Sequence, residues 1–220
     1  MVANVTSPEV RGLQAEFPNT VGNLFSPNAW QSPHGVYALD NGRFTPREWS
    51  ADAYLRLLDR ARAFHRKPQW ALVPDVVADW EATKAEWKAW RPKVESYGWP
   101  LAVAVQDGAT VADVRAMSPQ VVFVGGSTRW KVKTAAMWCA EFARVHVARV
   151  NTPRRAWACY KLGVESVDGT GWMRTTIQRK GLRTFLGMMA KREPIPMCLF
   201  SATSRNGRGE SCTSNVVNAK

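Results

Sequence analysis

Asp168 closes the run Gly163-Val-Glu-Ser-Val-Asp168 and stands before Gly169-Thr-Gly171. A carboxylate that follows a short apolar run and precedes a turn belongs at the carboxyl end of a strand, facing a loop. Four other runs end in the same manner: Tyr37-Ala-Leu-Asp40-Asn-Gly42, Leu72-Val-Pro-Asp75, Val103-Ala-Val-Gln106-Asp-Gly108 and Val122-Phe-Val-Gly125-Gly126. When parallel strands are wrapped by helices, their carboxyl ends converge on one crevice. Three carboxylates, one side-chain amide and a Gly-Gly backbone would then meet in one place. Such a set suits gripping a purine-like base and working on its glycosidic bond.

The elements that must position these residues alternate. Val36–Asp40 reads as a strand, and Thr45-Pro46 opens a helix with proline at its first position, its buried face marked by Ala51, Tyr54, Leu55, Leu58 and Ala61. Trp70–Asp75, Leu101–Gln106, Val121–Val124, Val145–Val150 and Val164–Asp168 read as strands. Between them fall helices carrying Trp80, Trp87 and Trp90, then Val111–Met117, Trp130–Arg144, and one from Thr152-Pro153 to Leu162-Gly163. A long helix over Met173–Lys191 follows, and Pro194–Phe200 has room for one more strand. This pattern predicts an α/β fold, best matched by a (β/α)8-type, TIM-like barrel that is short for its class and need not be regular at its ends. An open doubly wound sheet is the alternative. Residues 1–33 read as an irregular lead-in with room for one short strand, 34–200 as the barrel domain and 201–220 as a flexible polar tail.

Composition narrows the setting. The chain has 220 residues, 45% of them apolar, with a net charge of +12. No run approaches the ~20 apolar residues of a membrane span. Met1–Thr20 has no basic start or apolar core, so the expected location is cytoplasmic. The four cysteines form no Cys-x-x-Cys pair and the three histidines are not spaced as zinc ligands, so no metal or other cofactor is expected. The positive charge favours a polyanionic partner, nucleic acid being the commonest. Arg43, Arg129, Lys131 and Arg174 fall just after expected strands and are the candidate nucleic-acid contacts. Trp80, Trp87 and Trp90 recur at helical spacing, as packing residues do; Trp130 and Trp172 follow motif loops and are candidates for lining the crevice.

Taken in order, these blocks resemble the tRNA-guanine transglycosylase superfamily. Asp40-Asn-Gly42-Arg-Phe44 is similar to its Asp-Ser-Gly-Gly-Phe/Tyr, and Asp75 resembles the aspartate ending its next motif strand. Val105-Gln106-Asp-Gly108 resembles its Val/Ile-Gln-Gly-Gly, Gly125-Gly126-Ser127 its Gly-Gly-Leu, Val150-Asn-Thr-Pro153 its Val-Gly-Thr-Pro, and Gly163–Asp168 its Gly-Ile-Asp-x-Phe-Asp. The order spans residues 36–172. The Cys-x-Cys-x-x-Cys and histidine of the tRNA-acting members have no counterpart here, and the chain is shorter than those enzymes. The resemblance therefore points to the smaller phage and bacterial relatives that exchange guanine for a 7-deazaguanine in DNA.

The resemblance implies roles. Asp168 would be the nucleophile that takes the sugar, and Asp40 the general acid/base for the purine nitrogen. Asp75 would accept from the base's N1–H and exocyclic amine, while Gln106 and the Gly126 N–H donate to its O6; Gly125 and Ser127 complete the base-binding set. The partners implied are DNA, with tRNA as the alternative, and a free 7-deazaguanine base. Plainer readings exist for each residue alone. Asp40 suits a turn, Asp75 and Asp168 suit helix caps, Asp107-Gly108 is itself a turn signal, and Gly125-Gly126 suits a strand-to-helix turn. A base-excising glycosylase and a non-catalytic nucleic-acid-binding barrel remain as other functions.

Overall fold

The computed structural model describes residues 7–27, 29–44 and 49–191. Its strands are β1 (Asn23–Phe25), β2 (Tyr37–Leu39), β3 (Ala71–Leu72), β4 (Leu101–Val105), β5 (Val121–Val124), β6 (Val145–Val147) and β7 (Ser166–Val167). All pair in parallel, in chain order, each with the next. The helices are α1 (Pro8–Glu16), α2 (Ala51–Ala63), α3 (Trp80–Glu95), α4 (Val111–Met117), α5 (Thr128–Glu141), α6 (Pro153–Lys161) and α7 (Thr176–Lys191), with a 3-10 turn at Gly171–Met173. The sheet curls into a short, open TIM-like barrel. Among the described residues β7 does not pair with β1.

Side chains alternate between the two faces of a strand. One parity packs against the helices: Val103 and Val105 of β4, Val122 and Val124 of β5, and Val145 and Val147 of β6 join Trp87, Trp138 and Trp157 in the main core. The other parity faces the inside of the curl, where Leu24, Ala38, Leu72, Ala102, Ala104 and Phe123 form a second cluster with Trp70. Two residues beyond an inward position is another inward position. Asp40 follows Ala38 in this way, Gln106 follows Ala104, Gly125 follows Phe123, and Asp168 follows Ser166. This two-residue period carries four of the motif residues to the inner rim at the strands' carboxyl ends.

Two expectations change. The lead-in is part of the fold. Ser7 caps α1, with Pro8 at its first position, and Val10 and Leu13 are buried. β1 then supplies a sheet strand, with Phe25 fully buried, so the barrel begins before residue 34. The helix is hard to read there because α1 buries only Val10, Leu13 and Gln14, so two apolar residues alone mark its inner face. The first turn expected at Thr45-Pro46 lies outside the described residues; the described helix starts at Ala51, where the Ser50 side chain accepts from the Ala53 N–H. The strand expected over Pro194–Phe200 and the tail over 201–220 also lie outside them. Trp80 and Trp87 are buried, and Trp90 packs edge-on against Trp49 at 5.3 Å. No described helix is long and apolar enough to cross a membrane.

Candidate active site

A cleft of about 350 Å³ opens at the carboxyl ends of the strands and is lined by Asp40, Asp75, Gln106, Gly125, Gly126 and Asp168. A cavity of about 400 Å³ is lined by Val21, Val36, Trp70, Val167, Leu182 and Phe185; its one carboxylate, Glu165, is tied to Arg144. The two are close in size, but among the described residues three carboxylates, a buried side-chain amide and a Gly-Gly backbone converge in the first, which makes it the candidate site.

The floor of the cleft is a closed polar network. Asp75 Oδ1 accepts from Asn41 Nδ2 at 2.7 Å and Oδ2 from Gln106 Nε2 at 2.6 Å. Gln106 Oε1 accepts from the Gly126 N–H at 2.8 Å and the Ala78 N–H at 3.0 Å. Asn41, Asp75 and Gln106 are all buried, and buried polar groups need such partners. Burial raises Asp75 above the usual carboxylate range, with the Asn41 and Gln106 hydrogen bonds opposing it. Gln106 and the Gly126 N–H are thus at the cleft, but bonded to each other rather than open to a ligand. Each carboxylate oxygen carries two lone pairs and the amide a second N–H, so the network has capacity left. Gly126 adopts φ +69°, and a Cβ there would stand 2.4 Å from Asp107 Oδ2, so the position requires glycine.

The two outer carboxylates have opposite proton affinities. Asp40 is raised to about 7, mainly by burial, with the charges of Asp168 and Asp75 adding and the Gly42 N–H opposing. That N–H lies 2.9 Å from Asp40 Oδ1, so the turn-forming role is present as well. At Asp168 burial pulls upward, but the His146 hydrogen bond and the Arg149 N–H outweigh it, helped by Lys131, and the carboxyl ends below its usual range. His146 Nε2 lies 3.0 Å from Asp168 Oδ2, and the Arg149 N–H lies 3.0 Å from Oδ1.

Not every expected residue belongs to the site. Ser127 is absent from the cleft lining. Its hydroxyl accepts from the Trp130 N–H as the cap of α5 and donates to Asp107 Oδ1 at 2.7 Å. Lys131 turns inward: it is 5% exposed, its Nζ donates to the Ala148 carbonyl, and burial lowers it to about 8. It offers no surface charge to a polymer. Arg43 is held by Glu86 at 3.0 Å and lies over the Trp49 ring at 3.9 Å. Arg129 is exposed on α5, outside the cleft lining, whereas Arg174 is exposed and lines it. Trp172 is buried with its indole N–H on the Val150 carbonyl, and Trp130 packs toward Trp138; neither lines the cleft.

Asn41, Arg149 and Asn151 line the cleft and His146 bonds to Asp168, and the motif reading passed over all four. Arg149 has φ +58°, a strained value for a non-glycine residue, and its guanidinium reaches the Gly126 carbonyl and lies over Phe44 at 4.6 Å. His146 was legible in one respect: it is a polar residue at an inward position of an otherwise apolar strand. Among the described residues no group of three or more His, Cys, Asp or Glu side chains is placed to hold a metal ion.

No protein-family model matches the chain, and no curated protein sequence matches it. Solved structures do resemble it. A putative fructose-1,6-biphosphate aldolase from Coccidioides immitis superposes with a TM-score of 0.53 at 12% identity, over 86% of this chain and 84% of that one. Phosphoribosyl anthranilate isomerase from Thermus thermophilus gives 0.48 at 16% identity, over 87% and 98%. A 3-hexulose-6-phosphate synthase gives 0.46 at 14%, over 84% and 95%. At such identities the likeness is one of fold, and the first of them agrees with the barrel architecture read from the strand order.

Proposed function

We propose that this protein is an enzyme, a base-exchange transglycosylase that replaces guanine in DNA with a 7-deazaguanine. The observation that carries this reading is the pair of carboxylates in one cleft with separated proton affinities, Asp168 ionised and Asp40 able to hold a proton near neutrality. Environments that push two carboxyl groups apart in this way divide them into a nucleophile and an acid.

The reaction is a double displacement at the sugar C1′, as in retaining glycoside hydrolysis with a base in place of water. An Asp168 oxygen bonds to C1′ as the C1′–N9 bond breaks. The electron pair leaves on the purine, and Asp40 delivers a proton to it. In the second half Asp40, now a carboxylate, takes the N9 proton of the incoming base. That nitrogen bonds to C1′ and the Asp168–C1′ bond breaks, restoring both carboxyl groups. Asp75, Gln106 and the Gly125-Gly126 backbone form the floor that selects a purine with guanine's donor and acceptor edge. A base inside a duplex must leave the stack to reach such a cleft, at a cost of a few kcal/mol. DNA is favoured over tRNA because the tRNA-acting relatives' Cys-x-Cys-x-x-Cys has no match in this sequence.

The test offers equal DNA and tRNA with radiolabelled guanine, with mass spectrometry for a sugar adduct on Asp168. Label should enter DNA, faster in single strands than in duplex. Asp168→Asn should reduce exchange about a thousandfold or more while leaving nucleic-acid binding nearly intact. Label entering tRNA faster would move the substrate to RNA, and release of base without label uptake would make the protein a glycosylase. An exchange rate in Asp168→Asn within about tenfold of the parent removes the nucleophile assignment.

A further inference from the structure

The inward cluster of the curled sheet is apolar, and His146, wholly buried, lies beside it. Its ring stacks on Phe123 at 4.8 Å with planes 17° apart and meets Trp70 edge-on at 5.0 Å. These rings fix the imidazole plane. Both nitrogens have partners: Nδ1 lies 2.8 Å from Ser166 Oγ and Nε2 lies 3.0 Å from Asp168 Oδ2. An imidazole is expensive to bury and is tolerated where both nitrogens are satisfied.

The tautomer follows from the partners. An ionised carboxylate only accepts, so Nε2 carries the proton that points at Asp168. Burial lowers His146 from its usual affinity, so the ring is neutral near pH 7 and Nδ1 is an acceptor. Ser166 must then donate to Nδ1. The register pairs His146 with Ser166 across β6 and β7, which sets the chain Ser166–His146–Asp168 in line along the inner face. Arg149 completes it from the other side. Its left-handed backbone aims the amide N–H at Asp168 Oδ1.

We infer that His146 is the positioning residue for Asp168: its Nε2–H, fixed by Ser166 behind it and opposed by the Arg149 amide, orients the carboxylate and keeps it ionised for attack. This rests on the base-exchange reading for its catalytic consequence, though not for its geometry. With one donor on each oxygen the carboxylate cannot rotate, and its remaining lone pairs face the cleft. Groups that hold a reacting ligand from behind contribute roughly 10- to 100-fold.

His146→Phe keeps a ring for the stack and removes both nitrogens, while His146→Gln keeps an N–H donor. Exchange kcat should fall about 10- to 100-fold in His146→Phe, with KM for nucleic acid within about threefold, and recover in part in His146→Gln. Carbon-13 NMR of labelled aspartate should show the Asp168 titration moving up by about one pH unit or more in His146→Phe. Lys131 and Asp40 face the same carboxylate in both proteins, so that shift reports His146. Nitrogen-15 NMR of the parent should show a neutral ring protonated at Nε2. Should His146→Phe fail to fold, Ser166→Ala gives the second reading, since it frees the tautomer without touching Asp168 and should lower kcat by about tenfold or less. An Asp168 titration unmoved within about 0.3 pH units in a folded variant overturns the inference. So does equal loss in His146→Phe and His146→Gln. If the parent exchanges no base into any nucleic acid, the functional proposal fails and the NMR titration alone decides the positioning role.

Discussion

Asp40 and Asp168 directly follow β2 and β7, far apart in the sheet order, yet face one cleft, where the charge on Asp168 adds to burial in raising Asp40 to about 7. One carboxyl group thus helps set the proton affinity of the other.

That coupling predicts that rate and stability both fall as pH rises through about 7. Release of guanine needs protonated Asp40, so the rate of that half-reaction should fall as pH rises through about 7. For stability, the folded-state affinity is raised from an ordinary value of 3.8. The native state then holds a proton that the unfolded chain releases between those values, so the contribution of Asp40 is fully present below about 4 and is lost as pH rises through about 7. Asp40→Asn removes this loss. Its stability advantage over the parent should grow from pH 5 to pH 8 by roughly 1 to 3 kcal/mol in urea denaturation. An advantage that is the same at both pH values would contradict the raised affinity.

Asn41 is the internal partner of Asp75, and it also donates to the Val73 carbonyl at 3.0 Å. Asn41→Ala leaves a buried carboxylate and a carbonyl each short of a donor. Destabilisation of roughly 1 to 3 kcal/mol is expected, together with weaker binding of free guanine by calorimetry. Unchanged guanine affinity in the folded variant would detach Asp75 from base recognition.

A Cβ at Gly125 would stand 2.9 Å from Gln106 Nε2 and 3.2 Å from the Val105 carbonyl. Gly125→Ala should push the Gln106 amide off Asp75. The expected result is a KM for the incoming base raised about tenfold, a loss of about 1.4 kcal/mol in binding, with a smaller change in kcat. Steady-state exchange at varied base concentration measures both.

Arg174 and Arg43 should separate in salt dependence. Arg174 is exposed at the cleft, so Arg174→Ala should lower the slope of log K against log salt for DNA binding by about 1. Arg43 is already paired with Glu86 and stacked on Trp49, so Arg43→Ala should leave the slope nearly unchanged and lower thermal stability instead. Fluorescence anisotropy at several salt concentrations distinguishes the two, and a slope change in Arg43→Ala alone would reverse the assignment.

The alternation of strands and helices was legible in the chain because it is local. Apolar runs of four or five residues, Ser and Thr caps and turn glycines each act over a few residues. The two-residue period of a strand then determined that Asp40, Gln106, Gly125 and Asp168 end on one rim. What those atoms bond to is decided by residues distant in sequence. Whether Lys131 points out to solvent or in to the Ala148 carbonyl depends on how α5 rolls against β6. Ser127 became a helix cap because Asp107, twenty positions away, reaches its amide and hydroxyl. Gln106 and Gly126 turn toward each other because both are buried, and a buried polar group needs a partner. His146 shows the division most clearly: its inward parity is written in Val145-His-Val147, but its role exists only where β7 brings Ser166 and Asp168 to its two nitrogens.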